Sequence, residues 1–172
     1  MAQAARPVGA YHVRHIAMHW TVVFLVLFQY ATGGRMEQAY LYGVEYGVLP
    51  MDGVLYVHGI IGTCILIAML VRLYLRLKHG APPPPDNEPK PIQILSRATH
   101  FAFYGLLIAM PLFGMAALWV KAGWLGQVHG IAAYVVLGLA VLHVAGAMWH
   151  AIKRDGVVSR MGGGTTVTRT TT

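Results

Sequence analysis

Apolar residues dominate four long stretches of this chain, and shorter polar or proline-rich stretches separate them. Each apolar stretch is long enough to supply the roughly 20 residues that a helix needs to cross the ~30 Å hydrocarbon core of a membrane. The pattern predicts an all-α integral membrane protein that folds as a four-helix bundle. The predicted helices cover roughly residues 13–33, 54–77, 97–120 and 126–150.

The connections between these helices differ in character. The first, which runs to about Asp52, is rich in tyrosine and acidic residues and predicts a loop at a membrane interface. The second, APPPPDNEPKP, favours extended backbone because its prolines lack amide donors, so it predicts a linker. A glycine- and threonine-rich end follows the fourth helix. We therefore expect one four-helix domain over residues 1–160 and a flexible tail over 161–172.

Composition and charge agree with a membrane protein and exclude other classes. Of the 172 residues, 56% are hydrophobic and 11% are charged, and the mean hydropathy is +0.55, which is too apolar for a soluble domain of this size. The net charge of +7 lies at the ends of the apolar stretches, a pattern that argues against nucleic acid as a partner. The single Cys64 excludes an intrachain disulfide and a Cys-x-x-Cys-His attachment site for haem.

The basic residues predict the orientation of the bundle. Of the 13 lysines and arginines, all except Arg35 and Lys121 lie before or at the start of the first helix, from the end of the second helix to the start of the third, or after the fourth. Such clusters favour the cytoplasmic side of a membrane. We therefore expect both termini and the proline-rich linker in the cytoplasm, and the tyrosine-rich connection outside.

Histidines on the predicted helices form two sets at matching depths. His129 and His143 lie fourteen residues apart on the fourth helix, so they face nearly the same way and stand about 21 Å apart along its axis. His19 on the first helix matches the depth of His143, and His58 on the second matches that of His129. Two such cross-helix pairs, one per leaflet, are what two haem b groups require of a helix bundle.

Several motifs resemble the bacterial cytochrome b561 family. They are the His19-Trp20 pair, the VHGIIG-to-VRLYLRL run of the second helix, the H-x3-Y-x6-P run from His100, and the H-x13-H spacing from His129. The cytochrome b subunits of hydrogenases and formate dehydrogenases are similar. The resemblance implies a multi-pass di-haem b protein of the bacterial inner membrane that exchanges electrons with ubiquinone, and one branch of the family is a superoxide oxidase.

The resemblance also implies roles for individual residues. It places the outer haem on His58 and His129 and the inner haem on His19 and His143. His12 and His15 share a predicted helical face with His19, and either of them remains an alternative ligand. The remaining candidates lie at the inner ends of the helices: Arg72 and Arg76 for the haem propionates, and His100 and His150 for a propionate or a quinone carbonyl.

Two imidazoles per iron leave no open coordination position, so we expect a relay of single electrons. The expected partners are membrane lipid, ubiquinone and an electron donor, which is either superoxide at the outer face or a protein. The corresponding enzyme is an oxidoreductase of the superoxide:ubiquinone type. Two rival hypotheses are a cytochrome b anchor subunit of a larger dehydrogenase and a haem-free, histidine-bearing membrane transporter. The sequence alone does not set the direction of electron flow.

Overall fold

A computed structural model describes residues 11, 13–48, 53–84, 88–120 and 123–162 of the chain. Within these ranges it is all-helical, with no strand, and four of its helices are long and apolar enough to cross a membrane. These observations confirm the predicted all-α, four-helix membrane architecture. The helices are α1 (Val13–Tyr46), α2 (Gly53–His79), α3 (Lys90–Val120) and α4 (Gly123–Lys153), and a short 3-10 turn, Val158–Arg160, follows them.

The first helix is longer than the sequence pattern predicted. The predicted loop after residue 33 is helical as far as Tyr46, and only the residues beyond it form the connection to α2. Glu37, Gln38 and Ala39 are good helix formers and the segment contains no proline, so its polarity marks the approach to an interface and not the end of the helix. At ~1.5 Å per residue, α1 is longer than the hydrocarbon core is thick, so it extends beyond the membrane.

The third helix begins seven residues earlier than predicted, inside the proline-rich linker. The Pro89 carbonyl accepts hydrogen bonds from the amides of Ile92 and Gln93, at 3.0 and 3.2 Å, and so starts the helix. Pro91 falls within the first turn, where a missing amide hydrogen leaves no helical bond unmade. The last prolines of the linker therefore start α3.

The helices alternate in direction, so the bundle has two distinct ends. We call the end that carries the 80–89 linker the linker end; α1 and α3 begin there, and α2 and α4 end there. The opposite end, where α3 connects to α4, is the turn end. Each helix packs against the next in the chain, while α1 and α4 approach each other less closely. The gap between α1 and α4 is bridged at single points, such as the hydrogen bond from the Tyr30 hydroxyl to the Ala133 carbonyl at 2.5 Å.

An apolar core lies halfway along the bundle. Met69 of α2 and Val136 of α4 are each only 2% exposed at its centre. Val136 lies seven residues from His129 and seven from His143, so this layer separates the two ends of the bundle. The buried cluster consists of Val22, Ile65, Ala68, Met69, Leu107 and Val136.

The chain folds back over the linker end after α4. Arg154 and Gly156 have positive φ values of 54° and 81°, which reverse the chain direction. The guanidinium of Arg160 then donates to the Pro83 carbonyl at 2.7 Å, and the Met161 carbonyl accepts from the Trp20 indole at 3.0 Å. The predicted flexible tail thus begins beside the bundle, and its remainder, residues 163–172, lies outside the described residues.

Candidate functional site

The two predicted histidine pairs are close in the folded chain, one pair at each end of the bundle. At the turn end, the ring centroids of His58 and His129 lie 6.1 Å apart with an interplanar angle of 69°. At the linker end, those of His19 and His143 also lie 6.1 Å apart, at 64°. In both pairs, α4 supplies one imidazole, and the partner comes from α2 at the turn end and from α1 at the linker end.

The third helix fixes the orientation of the His129 ring. The Nδ1 atom of His129 lies 2.9 Å from the carbonyl oxygen of Met110. Because a carbonyl oxygen only accepts hydrogen bonds, Nδ1 carries the hydrogen. This tautomer leaves Nε2 with a free lone pair, the arrangement usual for a metal-binding histidine. Gly114 provides the room, since a Cβ at that position would stand 3.2 Å from both Cε1 and Nδ1 of His129.

The first helix supports His58 through its backbone. The Gln29 side chain donates from Nε2 to the His58 carbonyl at 3.0 Å and passes close to Gly62, where a Cβ would lie 3.4 Å from Nε2. The Nδ1 atom of His58 is buried and has no hydrogen-bond partner among the described residues. Among the described residues, the turn-end pair thus contacts neutral groups, and one buried imidazole nitrogen there has no hydrogen-bond partner.

The linker-end pair has a third imidazole beside it. The ring of His100 lies 5.2 Å from that of His143 at 90°, and Phe103 packs on the same ring at 5.7 Å. His100 donates from Nδ1 to the Ser96 carbonyl at 2.7 Å, one turn earlier on α3, and this bond leaves its Nε2 as an acceptor. His100 therefore lies next to the candidate ligand pair, as the sequence predicted for an inner-end residue.

Arg72 and Arg76 differ in their relation to this cluster. Arg72 is within electrostatic range of His19, His100 and His143, and its Nη1 is buried without a hydrogen-bond partner among the described residues. The Arg76 charge is within electrostatic range of His100, and its Nη1 donates a hydrogen bond to the Tyr11 hydroxyl at 3.4 Å. Of the two, Arg72 therefore has the buried donor that an anionic group could engage.

His150 has different neighbours from the other candidates. Its Nδ1 lies 2.6 Å from Asp155 and its Nε2 lies 3.2 Å from Glu88, so both ring nitrogens contact carboxylates. Slight burial raises the pKa of Asp155, but hydrogen bonds from His150 and the Val157 amide, with the nearby Lys153 charge, outweigh it and hold that pKa below its usual value. His150 thus lies at the linker end, in a carboxylate cluster.

The other histidines near the start of α1 have different surroundings. His15 is only 6% exposed, and its ring lies 5.7 Å from Tyr11 and 5.9 Å from His79 of α2. His12 lies outside the described residues. Among the described histidines of α1, His19 is therefore the one that faces His143.

The histidines and acidic residues of the described ranges suit some kinds of metal group and not others. Within the described ranges, no group of three or more histidine, cysteine or acidic side chains is arranged so that it could hold a metal ion through protein ligands alone. A haem iron needs only two axial protein ligands. With metal–nitrogen bonds of about 2 Å and about 1.1 Å from each nitrogen to its ring centre, two axial imidazoles have centroids roughly 6.2 Å apart. Both pairs match that separation and fit haem b.

Sequence reasoning missed the residues that position these groups. Nothing in the sequence indicated that Gly114 lies beside a histidine, although its place four residues after Met110 puts both on one face of α3. Glu88 was part of the linker, and Asp155 was one charge in a basic stretch. The Asp-Gly step at 155–156 is a turn signal that could have indicated the chain reversal after α4.

Comparison with known proteins identifies the family of this chain. The family model for prokaryotic cytochrome b561 matches residues 10–164. The chain is 31% identical to cytochrome b562 of Cereibacter sphaeroides, over 85% of this chain and 90% of that protein. It is 25% identical to the probable superoxide oxidase CybB of Yersinia pestis, over 67% and 62% of the two chains, and 25% identical to cytochrome b561 homolog 2 of Escherichia coli K12, over 88% and 90%. The chain therefore belongs to the prokaryotic cytochrome b561 family, and its role is electron transfer in a membrane as a haem b cytochrome.

Proposed function

We propose that this protein carries two b haems, one between His58 and His129 and the other between His19 and His143. The observation that supports this most strongly is the equal 6.1 Å separation of both imidazole pairs, at opposite ends of one bundle. Each bound haem supplies reversible one-electron chemistry. With two histidines to hold each iron, such a haem would relay single electrons between a donor and an acceptor.

The protein holds and insulates these two sites. The Met110 carbonyl sets the tautomer of His129, and Gly114 leaves space for its ring. Between the two sites, the apolar layer around Met69 and Val136 excludes water from the centre of the bundle. At the linker end, the buried Nη1 of Arg72 is the donor that we assign to a haem propionate, with Arg76 as a more distant second cation.

The proposed electron acceptor is ubiquinone, at a pocket near the linker end. His100 supports this assignment, because its Nε2 can bind a proton, donate it to a ubiquinone oxygen as the quinone is reduced, and then accept a hydrogen bond from the quinol hydroxyl that forms. His150 belongs to the same proposed pocket, although its two nitrogens already contact Glu88 and Asp155. It would have to release one carboxylate before it could hydrogen-bond to a quinone or a propionate.

The proposed donor is superoxide at the turn end, and this end is proposed to face outward from the bacterial inner membrane. The relative named a probable superoxide oxidase supports the donor, and the basic residues of the linker end support the orientation. Of the predicted outer cations, Arg35 lies in α1, whereas Lys121 lies outside the described residues. Glu37 and Glu45 share α1 with Arg35, so anions receive little guidance from this helix.

The experiment that tests the haem proposal is a pyridine haemochrome assay on purified protein, read together with the Soret band. Two b haems per chain are expected. A sample without a Soret band would support the haem-free transporter, and a copurifying dehydrogenase would support the anchor subunit.

The proposed orientation is tested with reporter fusions. A reporter fused after Thr172 should be cytoplasmic, and one inserted after Gly47, beyond the end of α1, should be outside. Opposite signals would exchange the two faces of the membrane.

A further inference from the structure

The segment that follows α4 makes more contacts with the bundle than its sequence suggests. We call residues 155–161 the C-terminal strap. It starts after the left-handed Arg154, turns at Gly156 and forms the 3-10 turn Val158–Arg160 before it reaches Met161. Asp155 stabilises this reversal, because its Oδ1 accepts the Val157 amide at 3.2 Å. The strap is therefore an ordered connection across the linker end.

Three anchors tie the strap to different parts of the bundle. Asp155 contacts His150 of α4, and His150 also contacts Glu88, just before α3. Arg160 donates to the Pro83 carbonyl in the linker at 2.7 Å. The Met161 carbonyl accepts the indole hydrogen of Trp20 in α1 at 3.0 Å. The strap thus joins α1, the linker and α4, and its last anchor lies on α1.

The anchor on α1 is one residue away from a proposed haem ligand. The rings of Trp20 and His19 lie 5.5 Å apart at 74°, so the indole packs edge-on against this imidazole. The indole nitrogen is a donor only, and the hydrogen bond to Met161 selects the Trp20 orientation in which that contact is made. A displacement of the strap would release the indole and change the packing on the His19 ring.

We propose that the C-terminal strap positions His19 through Trp20, and that it thereby sets the orientation of the imidazole that would hold the linker-end haem. This inference rests on the proposed ligation of that haem by His19 and His143. It assigns roles to two residues that are not haem ligands. Trp20 links the strap to the His19 ring, and Arg160 holds the strap against the linker. His150 gains a structural role, because it contacts Asp155 and so holds the start of the strap.

The test uses full-length protein with single substitutions. Trp20→Phe keeps an aromatic ring beside His19 but removes the hydrogen-bond donor, and Arg160→Ala removes the anchor on the linker. The matched controls are Trp149→Phe, a tryptophan of α4 that packs under Lys153, and Ser159→Ala, which loses only a bond to Gly156 within the strap. The readouts are the electron paramagnetic resonance signals of the two ferric haems and their midpoint potentials.

Trp20→Phe and Arg160→Ala should each shift the signal and midpoint potential of the linker-end haem. The turn-end haem and both controls should keep the parental values. In the double variant, Arg160→Ala should add no further shift, because the strap acts through the indole. The turn-end signal also reports folding, so a variant that keeps it is folded.

Two results would overturn the inference. Parental linker-end signals in both single variants would show that the strap does not position His19, and additive shifts in the double variant would show that the strap acts independently of Trp20. The ligand assignment is tested separately by His19→Ala. If that variant keeps both haems, the proposed ligand set fails, whereas loss of one haem with no effect of Trp20→Phe rejects the strap inference alone.

Discussion

The two ends of the bundle hold similar histidine pairs in different electrostatic surroundings. At the turn end, the hydrogen-bond partners of His58 and His129 among the described residues are the Gln29 amide and the Met110 carbonyl, which are neutral. At the linker end, His19 and His143 lie near the Arg72 charge and beside the His100 imidazole. Because a nearby cation favours the reduced, less positive iron, we expect the linker-end haem to have the higher midpoint potential. Electrons should then move from the turn end to the linker end.

The largest expected effect is the loss of the haem at the turn end alone. Gly114→Val places side-chain atoms where the His129 ring lies, since even a single Cβ would approach Cε1 and Nδ1 to 3.2 Å. The variant should lose the turn-end haem, which would show as a halved haem-to-protein ratio. Gly105→Val is the matched control, because a Cβ at residue 105 of the same helix would meet nothing within 4 Å. Equal haem content in the two variants would reject the role assigned to Gly114.

The next effect should appear only at the linker end. His100→Ala removes the imidazole beside His143 and should slow electron exchange with a soluble ubiquinone analogue about 100-fold, the usual scale for loss of a positioned proton-transfer group. Haem content should stay parental. The control is His79→Ala, which removes a histidine from the same end that packs against His15. Parental exchange kinetics in His100→Ala would place the quinone pocket elsewhere.

A smaller effect measures the electrostatic difference directly. Arg72→Gln removes the buried charge near His19 and His143 and should lower the midpoint potential of the linker-end haem. At an effective dielectric constant of about 20, a unit charge about 10 Å away contributes roughly 1.7 kcal/mol, which for one electron is roughly 70 mV. The control is Arg35→Gln, which removes a charge from the half of α1 that does not carry His19, and it should leave the midpoint potential of the linker-end haem unchanged. A redox titration in which Arg72→Gln matches the parent would remove Arg72 as the source of the difference.

The smallest expected effect concerns the donor. Pulsed superoxide should reduce the oxidised turn-end haem, and neutralising Arg35 and Lys121 together should slow that reduction by a few-fold at low salt and less at high salt. The expected change is small because Glu37 and Glu45 lie on the same helix as Arg35. Reduction at the same rate in both proteins would keep superoxide as donor but discard these cations. Slow reduction of the parent would favour a protein donor.

The sequence predicted which histidines lie close together, because helical periodicity carries most of that information. A fourteen-residue step on one apolar helix puts His129 and His143 on one face, and depth matches them to His58 and His19, while His12 and His15 remained alternatives to His19. The structure brings both pairs together as expected. The end of α1 was predicted less well, because the polar residues before Tyr46 resemble a loop in composition but form helix readily.

The surroundings of the ligands could not be predicted from periodicity. The bond from His129 to Met110 and the space at Gly114 depend on how α3 packs against α4, and hydrophobic patterning does not specify that register. The contacts of His150 with Glu88 and Asp155 depend on where the linker and the strap cross the linker end. Such contacts join residues far apart in sequence and become visible only in the folded chain.

The central claim is that each end of the bundle holds its own haem. Its most direct test is to measure the haem content and the midpoint potentials of His129→Ala and His143→Ala. Each variant should bind about one haem per chain. The haem that remains in His129→Ala should titrate at the higher of the two parental midpoints, and the one in His143→Ala at the lower. His79→Ala, as a control, should keep both haems and both midpoints. Two haems in either ligand variant, or loss of both haems in each, would contradict the claim of one independent haem at each end.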